Sequence, residues 1–380
     1  MILGHPAPDR NRTQDVTRAL KILHVFPSFK IGGAQVRFTQ LAMGFGPAFS
    51  HTVLALDGAY TAAQFLAPDV RVILGGQPVT SGSLPQRLGH YRQEIAAHAP
   101  DLLMTYNWGS IEWAMANAIG GVPHIHMEDG FGPEEAQRQF RRRVWARRLA
   151  LRHSQLIVPS LALQDLALNV WRLNRARVHY IPNGLMPLDR YSTRIEELGL
   201  NLPAGLPRIA WAGAVRREKN VIRLLRAFAP LKSEAVLLVI GDGPELDAVL
   251  REAEALSLGP SIRFLGRRED VRDILMQCDL MALSSDTEQM PLAVLEAMDA
   301  GLPIASTDVG DVRRMVSGAN QPYVVNLSDR ELGAAMRALV IGAAARKAAG
   351  VANKERLRRN YLADDMIAAH KKLMLETAGK

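Results

Sequence analysis

KILHVFPSFKIGGAQVRFTQLAM, residues 21–43, decides the fold. Lys21–Pro27 is a short apolar run with β-branched residues, the pattern of a strand buried on both faces. A glycine-rich turn follows at Lys30–Ala34, and Gln35–Met43 has apolar residues at helical spacing. Working outward, further strands are predicted at Thr52–Leu56, Val70–Leu74, Leu102–Tyr106, His124–Met127, Leu156–Pro159 and Val178–Pro182, with helical stretches between most of them. Strand and helix in alternation imply a parallel sheet covered on both faces.

Residues 183–206 interrupt the pattern with Asn183-Gly184, Pro187, Pro203 and Gly205, which is linker chemistry. A second alternating series has strands at Arg208–Ala212, Ala235–Ile240, Ser261–Leu265, Leu280–Leu283, Pro303–Thr307 and Tyr323–Val325. The fold class expected is α/β: two doubly wound, Rossmann-like domains facing across a cleft that holds the ligand. The expected division is a disordered extension over 1–20, an acceptor-side domain over 21–184, a linker over 185–206, a nucleotide-sugar-binding domain over 207–360, and a last helix over 361–380 crossing back to the first domain.

Composition narrows the class. At 380 residues, 48% apolar and 22% charged, the chain has the makeup of a globular protein of about two domains. Apolar runs such as Ala235–Ile240 fall far short of the ~18 residues of a bilayer span. Residues 1–20 carry charges and no apolar core, unlike a secretory signal. The lone Cys278 permits neither an internal disulfide nor a cysteine-based zinc site, so a reducing cytoplasm is the expected location. The formal charge of +8 calls for an anionic substrate, an acidic membrane surface or a polyanion.

Gly241-Asp242-Gly243-Pro244 and SSDTEQMPLAVLEAMDAGLPIASTDVGDVRRMV, residues 284–316, closely resemble the second half of the retaining glycosyltransferases of family 4. The resemblance extends to residues 21–35, to IPNGL at 181–185 and to GAVRREKN at 213–220, and covers roughly residues 20–380. It implies the two-Rossmann glycosyltransferase-B fold and transfer of a sugar from a nucleoside diphosphate with retention at the anomeric carbon. The donor would be a UDP- or GDP-sugar, used as a substrate with no cofactor. No Asp-x-Asp carboxylate pair is found near the expected diphosphate, and the family needs none, so metal independence is expected.

Several site residues follow. Glu288 and Glu296 are separated by seven residues, and Pro291 suits the first turn of the helix carrying Glu296. An acid among Leu292, Val294, Leu295, Ala297 and Met298 is costly to bury unpaired, and two hydroxyl donors would offset that cost. The resemblance implies that Glu296 holds the donor ribose and Glu288 the donor sugar. Free amides in the Met290, Pro291, Leu292, Ala293 stretch, with the helix dipole, suit the diphosphate leaving group. Lys219 matches a phosphate-binding lysine. The arginine usual after the preceding glycine is replaced by Ala214, so Arg216 or Arg217 is expected to reach in from two or three residues later. Gly32 and Gly33 would let the diphosphate approach the backbone. Gly241-Asp242-Gly243 reads as a turn, and Arg267–Asp270 lie where the family reads the nucleobase.

In the first half, the family often has His-Gly after the strand at 124–127. Anchoring on Gly130 puts Asp129 in the histidine's place, whereas a register slip puts His126 there. Either would act at the reacting sugar. Asn107 and Trp108 end another strand and are expected in the acceptor pocket. Residues 138–152 hold seven arginines, including Arg141, Arg142 and Arg143. At 100° per residue Phe140, Val144, Leu151 and, more loosely, Trp145 and Leu149 share an apolar side. A basic amphipathic helix of this kind lies on anionic membranes, which suits a lipid-linked or glycan acceptor in bacterial polysaccharide or glycolipid synthesis. The partners expected are therefore a nucleotide sugar, such an acceptor and the inner face of the cytoplasmic membrane, with no nucleic acid.

Two rivals are an epimerase or phosphorylase on the same fold and a non-enzymatic polyanion binder. Neither zinc-finger spacing nor a glycine-flanked aromatic RNA-binding motif is present to support the second.

Overall fold

The computed structural model describes residues 18–379 apart from 69, 76–80, 120, 132–134, 136–138, 189–193, 199–201 and 204. Most of the expected extension, parts of the expected linker and Arg138 lie outside the described residues.

The first sheet has seven parallel strands: β1 (Leu20–Phe26), β2 (Phe49–Ala55), β3 (Val72–Leu74), β4 (Leu102–Tyr106), β5 (His124–Met127), β6 (Gln155–Val158) and β7 (Val178–Tyr180). Their order is β3-β2-β1-β4-β5-β6-β7. The second sheet has β8 (Arg208–Ala212), β9 (Val236–Ile240), β10 (Ile262–Gly266), β11 (Leu280–Leu283), β12 (Ile304–Thr307) and β13 (Val324–Val325), in the order β10-β9-β8-β11-β12-β13. The central strands are buried on both faces, which is why they read as continuous apolar runs rather than alternating ones: β9 is VLLVI with every residue buried.

In each sheet the strand order reverses beside its first strand, between β1 and β4 and between β8 and β11. The crevice beyond the strand ends at such a reversal is where open α/β sheets bind ligands.

The expectation that residues 1–20 are disordered is corrected at its end. Leu20 is buried as the first residue of β1, paired with Phe49 of β2, and Arg18 reaches Asp101 at 3.1 Å. The apolar Leu20 opens a central strand of the sheet.

Two chain crossings join the halves. Leu185, just past β7, bridges to Leu362, and a Cβ on Gly184 would sit 2.4 Å from the Leu362 carbonyl oxygen. The two crossing segments therefore run in close contact, which requires glycine at 184. The helix Ala363–Ala378 then packs on the first sheet's core through Met366, Leu373 and Met374. Its Ile367 lies against Gly44, where a Cβ would come within 2.7 Å.

Further bonds tie the halves on the other side of the cleft. Asp311 accepts from the Leu161 amide at 2.6 Å and the Ala162 amide at 3.3 Å, and Ser160 donates to Gln289 at 2.9 Å.

Candidate active site

The second half brings its site residues together through three short loops. β8 leads into the turn Arg217–Lys219, which is stitched to the loop after β11. Ser284 donates to the Lys219 carbonyl at 2.9 Å, and the Asp286 amide donates to the Glu218 carbonyl at 2.8 Å. Lys219 Nζ then meets Glu288 Oε1 at 2.6 Å, and Ser285 donates to the same oxygen at 2.7 Å. Two glycines make this possible. A Cβ on Gly241 would lie 1.8 Å from the Gly213 carbonyl, so the turn after β9 presses directly on the loop leading to Lys219. A Cβ on Gly310 would lie 2.4 Å from the Glu288 carbonyl, so Gly310 is the floor of the Glu288 loop. Gly310 was not singled out from sequence. Its signal was present in the Val309-Gly310-Asp311 tripeptide, but its contact is 22 residues away in the chain.

Pro291 occupies the N-cap rather than the first turn, and the helix runs Leu292–Asp299. Pro291 has no N–H, so the unpaired amides at this end belong to Leu292 and Ala293. Met290 is buried. Its carbonyl accepts from Asn183 Nδ2 at 2.9 Å, and its sulfur lies 3.1 Å from the Asn183 amide. The Met290 side chain therefore serves the junction between halves.

Glu296 has no hydrogen-bond partner among the described residues. Burial pushes its carboxyl from the ordinary 4.5 up to about 7, against a smaller opposing pull from the Arg272 guanidinium. Arg272 is itself committed to Asp299 at 2.5 Å and the Met186 carbonyl at 2.7 Å. A half-buried carboxyl held above its usual range and without a partner is suited to a ligand that brings hydroxyl donors. Arg216 is exposed and makes no side-chain bond among the described residues.

The first half contributes the Gly32-Gly33 turn at the start of the helix Gly33–Phe45. A Cβ on Gly33 would meet only Leu292 Cδ1, at an ordinary 3.7 Å. Nothing in the protein's own packing requires glycine there, and the bare backbone faces the start of the Leu292–Asp299 helix.

Asp129 projects beyond β5 and is held bidentate by Arg37, at 2.6 and 2.8 Å. Arg37 is almost fully buried and also donates to Asn183 Oδ1 at 2.9 Å. A continuous polar path thus runs from Asp129 through Arg37 and Asn183 to the Met290 carbonyl, across both halves. Nothing in the local spacing singles out Arg37, which lies 92 residues from Asp129 and on an otherwise apolar helix face.

One first-half expectation is corrected, and two further residues have partners inside the protein. His126 is fully buried inside β5. Its Nδ1 lies 2.7 Å from Thr105 Oγ1 and its Nε2 3.8 Å from Glu128, so it does not reach the cleft. Asn107 is half-buried, and its amide oxygen takes the Asp129 N–H at 2.7 Å. Trp108 is half-buried beneath the guanidiniums of Arg147 at 4.9 Å and Arg143 at 5.1 Å.

The basic helix spans Arg141–Leu151, and Trp145 and Leu149 do not share the buried side with Leu151 as expected. Arg147 is fully buried, 3.3 Å from both Glu128 and Glu135, with Trp108, Phe131 and Trp171 around its guanidinium. Arg143 turns inward to Glu135 at 2.9 Å. Leu151 is buried, but Phe140, Trp145 and Leu149 are exposed, Trp145 to 67%. Arg141 and Arg142 are exposed. Buried glutamates and aromatic rings outcompete water for two arginines, a pairing that helical periodicity does not reveal.

Comparison with known proteins agrees with this geometry. A model described as Glycosyltransferase Family 4 matches residues 31–187, and one described as Glycosyl transferases group 1 matches residues 206–341. The chain is 34% identical over 116 residues to an N-acetyl-alpha-D-glucosaminyl L-malate synthase of Bacillus anthracis, covering 30% of each chain. It is 26% identical over 256 residues to a 2-deoxystreptamine N-acetyl-D-glucosaminyltransferase of Streptomyces fradiae, covering 60% of each. The matches thus span less than two thirds of these relatives' own length. Among solved structures, Anabaena Alr3699/HepE in complex with UDP and glucose superposes with a TM-score of 0.79 at 19% identity, covering 94% of this chain and 100% of that one. The shared fold is the glycosyltransferase-B fold. With one family model on each sheet, the chain belongs to glycosyltransferase family 4.

Proposed function

We propose that the protein is a retaining glycosyltransferase that moves a hexose from a UDP- or GDP-sugar to a glycan or lipid-linked acceptor, in bacterial polysaccharide or glycolipid synthesis. The observation that carries this reading is the convergence of Lys219, Glu288 and the bare Gly33 backbone on the start of the Leu292–Asp299 helix. That the fold neighbour from Anabaena holds UDP and glucose is consistent with it.

In this reading the diphosphate lies between Gly33 and the amides of Leu292 and Ala293, with Lys219 on its oxygens. Charge grows on the leaving phosphate as the glycosidic bond breaks. Fixed N–H dipoles and an ammonium already in place stabilise it without reorganisation. Lys219 pairs with Glu288, and a diphosphate bound here takes over the lysine and frees Glu288 to accept from a sugar hydroxyl. Glu296 accepts from the ribose diol. Asp129, neutralised by Arg37, orients the sugar from the first half rather than acting as a free base. The acceptor oxygen attacks on the face the leaving group departs from, and the leaving phosphate takes its proton. The charge at the leaving group is met by these side chains and amides without a metal.

Exposed Phe140 and Leu149 beside Arg142 support a peripheral position on the inner face of the cytoplasmic membrane. Among the described residues no helix is long and apolar enough to cross one.

A thermal-shift panel of nucleotides and nucleotide sugars tests the donor assignment. One nucleoside diphosphate should stabilise by about 2.7 kcal/mol at ~100-fold saturation, and its sugar should release it when acceptor is added. No shift with any nucleoside diphosphate would remove the reading.

A further inference from the structure

A groove of about 500 Å³ lies between the basic helix and the Thr287–Gln289 loop. Its floor on the second-half side is formed by Thr287 and Gln289, the two neighbours of Glu288. Its first-half wall begins at Phe131, two residues past Asp129. The two loops touch here, since a Cβ on Gly130 would lie 3.0 Å from Gln289 Cγ. The groove therefore begins where the loops that carry Asp129 and Glu288 approach each other.

Among the described residues that line it, the unpaired charge is positive. Glu135 is the acid in the lining, and it is buried and committed to Arg143 and Arg147. Arg141 is exposed and has no acidic partner among the described residues. Among the described residues Arg148 donates to the carbonyls of Val170 and Trp171 and meets no acid. Trp145, two-thirds exposed, presents an indole beside these cations, with the Arg148 guanidinium 5.0 Å from its ring centre. A flat, exposed aromatic ring suits the apolar face of a pyranose, and a guanidinium suits a carboxylate or phosphate.

We propose that this groove is the acceptor subsite and that it takes an acceptor sugar bearing an anionic group, with the ring against Trp145 and the anion on Arg141. The proposal rests on the glycosyltransferase reading, because the groove matters through its junction with Glu288 and Asp129. An acidic glycan residue and the phosphate-linked sugar of a lipid carrier share this chemistry.

The test uses the full chain with its donor site saturated by the nucleoside diphosphate that stabilises it most. Saturation-transfer NMR then reads the binding of methyl glucoside, glucuronic acid and glucose 1-phosphate. The expected result is that the two anionic sugars bind at least fivefold tighter than methyl glucoside. Arg141→Ala should abolish that preference and Trp145→Ala should weaken all three, with the nucleotide Kd unchanged in both variants. A stronger response to glucose 1-phosphate than to glucuronic acid would identify a phosphate-linked sugar, and the reverse an acidic glycan residue. Equal binding of methyl glucoside and the anionic sugars, or displacement of the nucleotide by them, overturns the proposal. It is also overturned if Arg141→Ala and Trp145→Ala leave sugar binding intact and lower only sedimentation with anionic liposomes, which would make this face a membrane surface. Both residues are exposed, so unfolding does not confound the variants. If no nucleoside diphosphate binds, the donor reading fails before the groove is tested.

Discussion

The two halves of the cleft were unequally open to sequence reading. In the second half, Glu288, Leu292 and Glu296 lie on one loop and the helix it enters, so their spacing already describes their geometry. In the first half, Asp129 takes its shape from Arg37, Asn107 and Asn183, which lie on three separate segments. Glu128 likewise depends on Arg147. Local periodicity carries the first kind of site and is silent about the second.

The sharpest way to break this comparison is through Arg147. If it is an internal strut rather than a surface charge, Arg147→Met leaves Glu128 and Glu135 buried without it. Urea unfolding should then show a loss of about 3–5 kcal/mol. A change no larger than that of Arg142→Ala, expected within ~0.5 kcal/mol, would restore the surface-helix reading.

Next in size is Glu288→Gln, expected to lower turnover by about 100-fold while changing nucleoside diphosphate affinity far less. Equal losses in both would make it a binding residue only.

Glu296 should cost less and add a pH signature. Glu296→Ala should weaken nucleotide binding by about 1.5–3 kcal/mol. With its carboxyl held near 7 against an ordinary 4.5, the folded protein keeps a proton that the unfolded chain releases between those values. Its contribution to stability is therefore full below pH 4.5 and lost as pH rises through 7. Relative to wild type, Glu296→Gln should be more stable at pH 8 than at pH 5. Ribose hydroxyls donate to the ionised form, so wild-type nucleotide affinity should rise between pH 6 and 8, and this rise should vanish in Glu296→Gln. A rise that persists in the variant would move the titration elsewhere.

The smallest effect is at Gly33. Its Cβ position is open, so Gly33→Ala should leave unfolding stability unchanged or raise it by up to about 1 kcal/mol. The same change should reduce the thermal shift given by nucleoside diphosphate. Intact binding would show that the diphosphate does not approach this turn.

The fold itself was legible because buried parallel strands are short apolar runs separated by helices and turns. Each of the thirteen expected strands is present, with ends shifted by at most a few residues. Pairing order and register needed the structure. The arginine-rich helix was misread for a physical reason. A guanidinium is ordinarily solvated, so the arginines read as flanking the apolar side, although the wheel puts Arg147 on the same side as Val144 and Leu151, where two buried glutamates and three aromatic rings hold it inside. His126 was ambiguous because β5 alternates histidines that the core satisfies with hydroxyl partners, Thr105 among them.

The central claim is that this cleft holds a nucleoside diphosphate through Lys219. Calorimetric titration of wild type and Lys219→Ala with UDP, GDP, uridine and guanosine tests it most directly. The account predicts that one diphosphate binds wild type much more tightly than its nucleoside, and that Lys219→Ala removes most of that difference while leaving the nucleoside nearly unaffected. Equal weakening of nucleoside and diphosphate, or a diphosphate preference undiminished in Lys219→Ala, would contradict it.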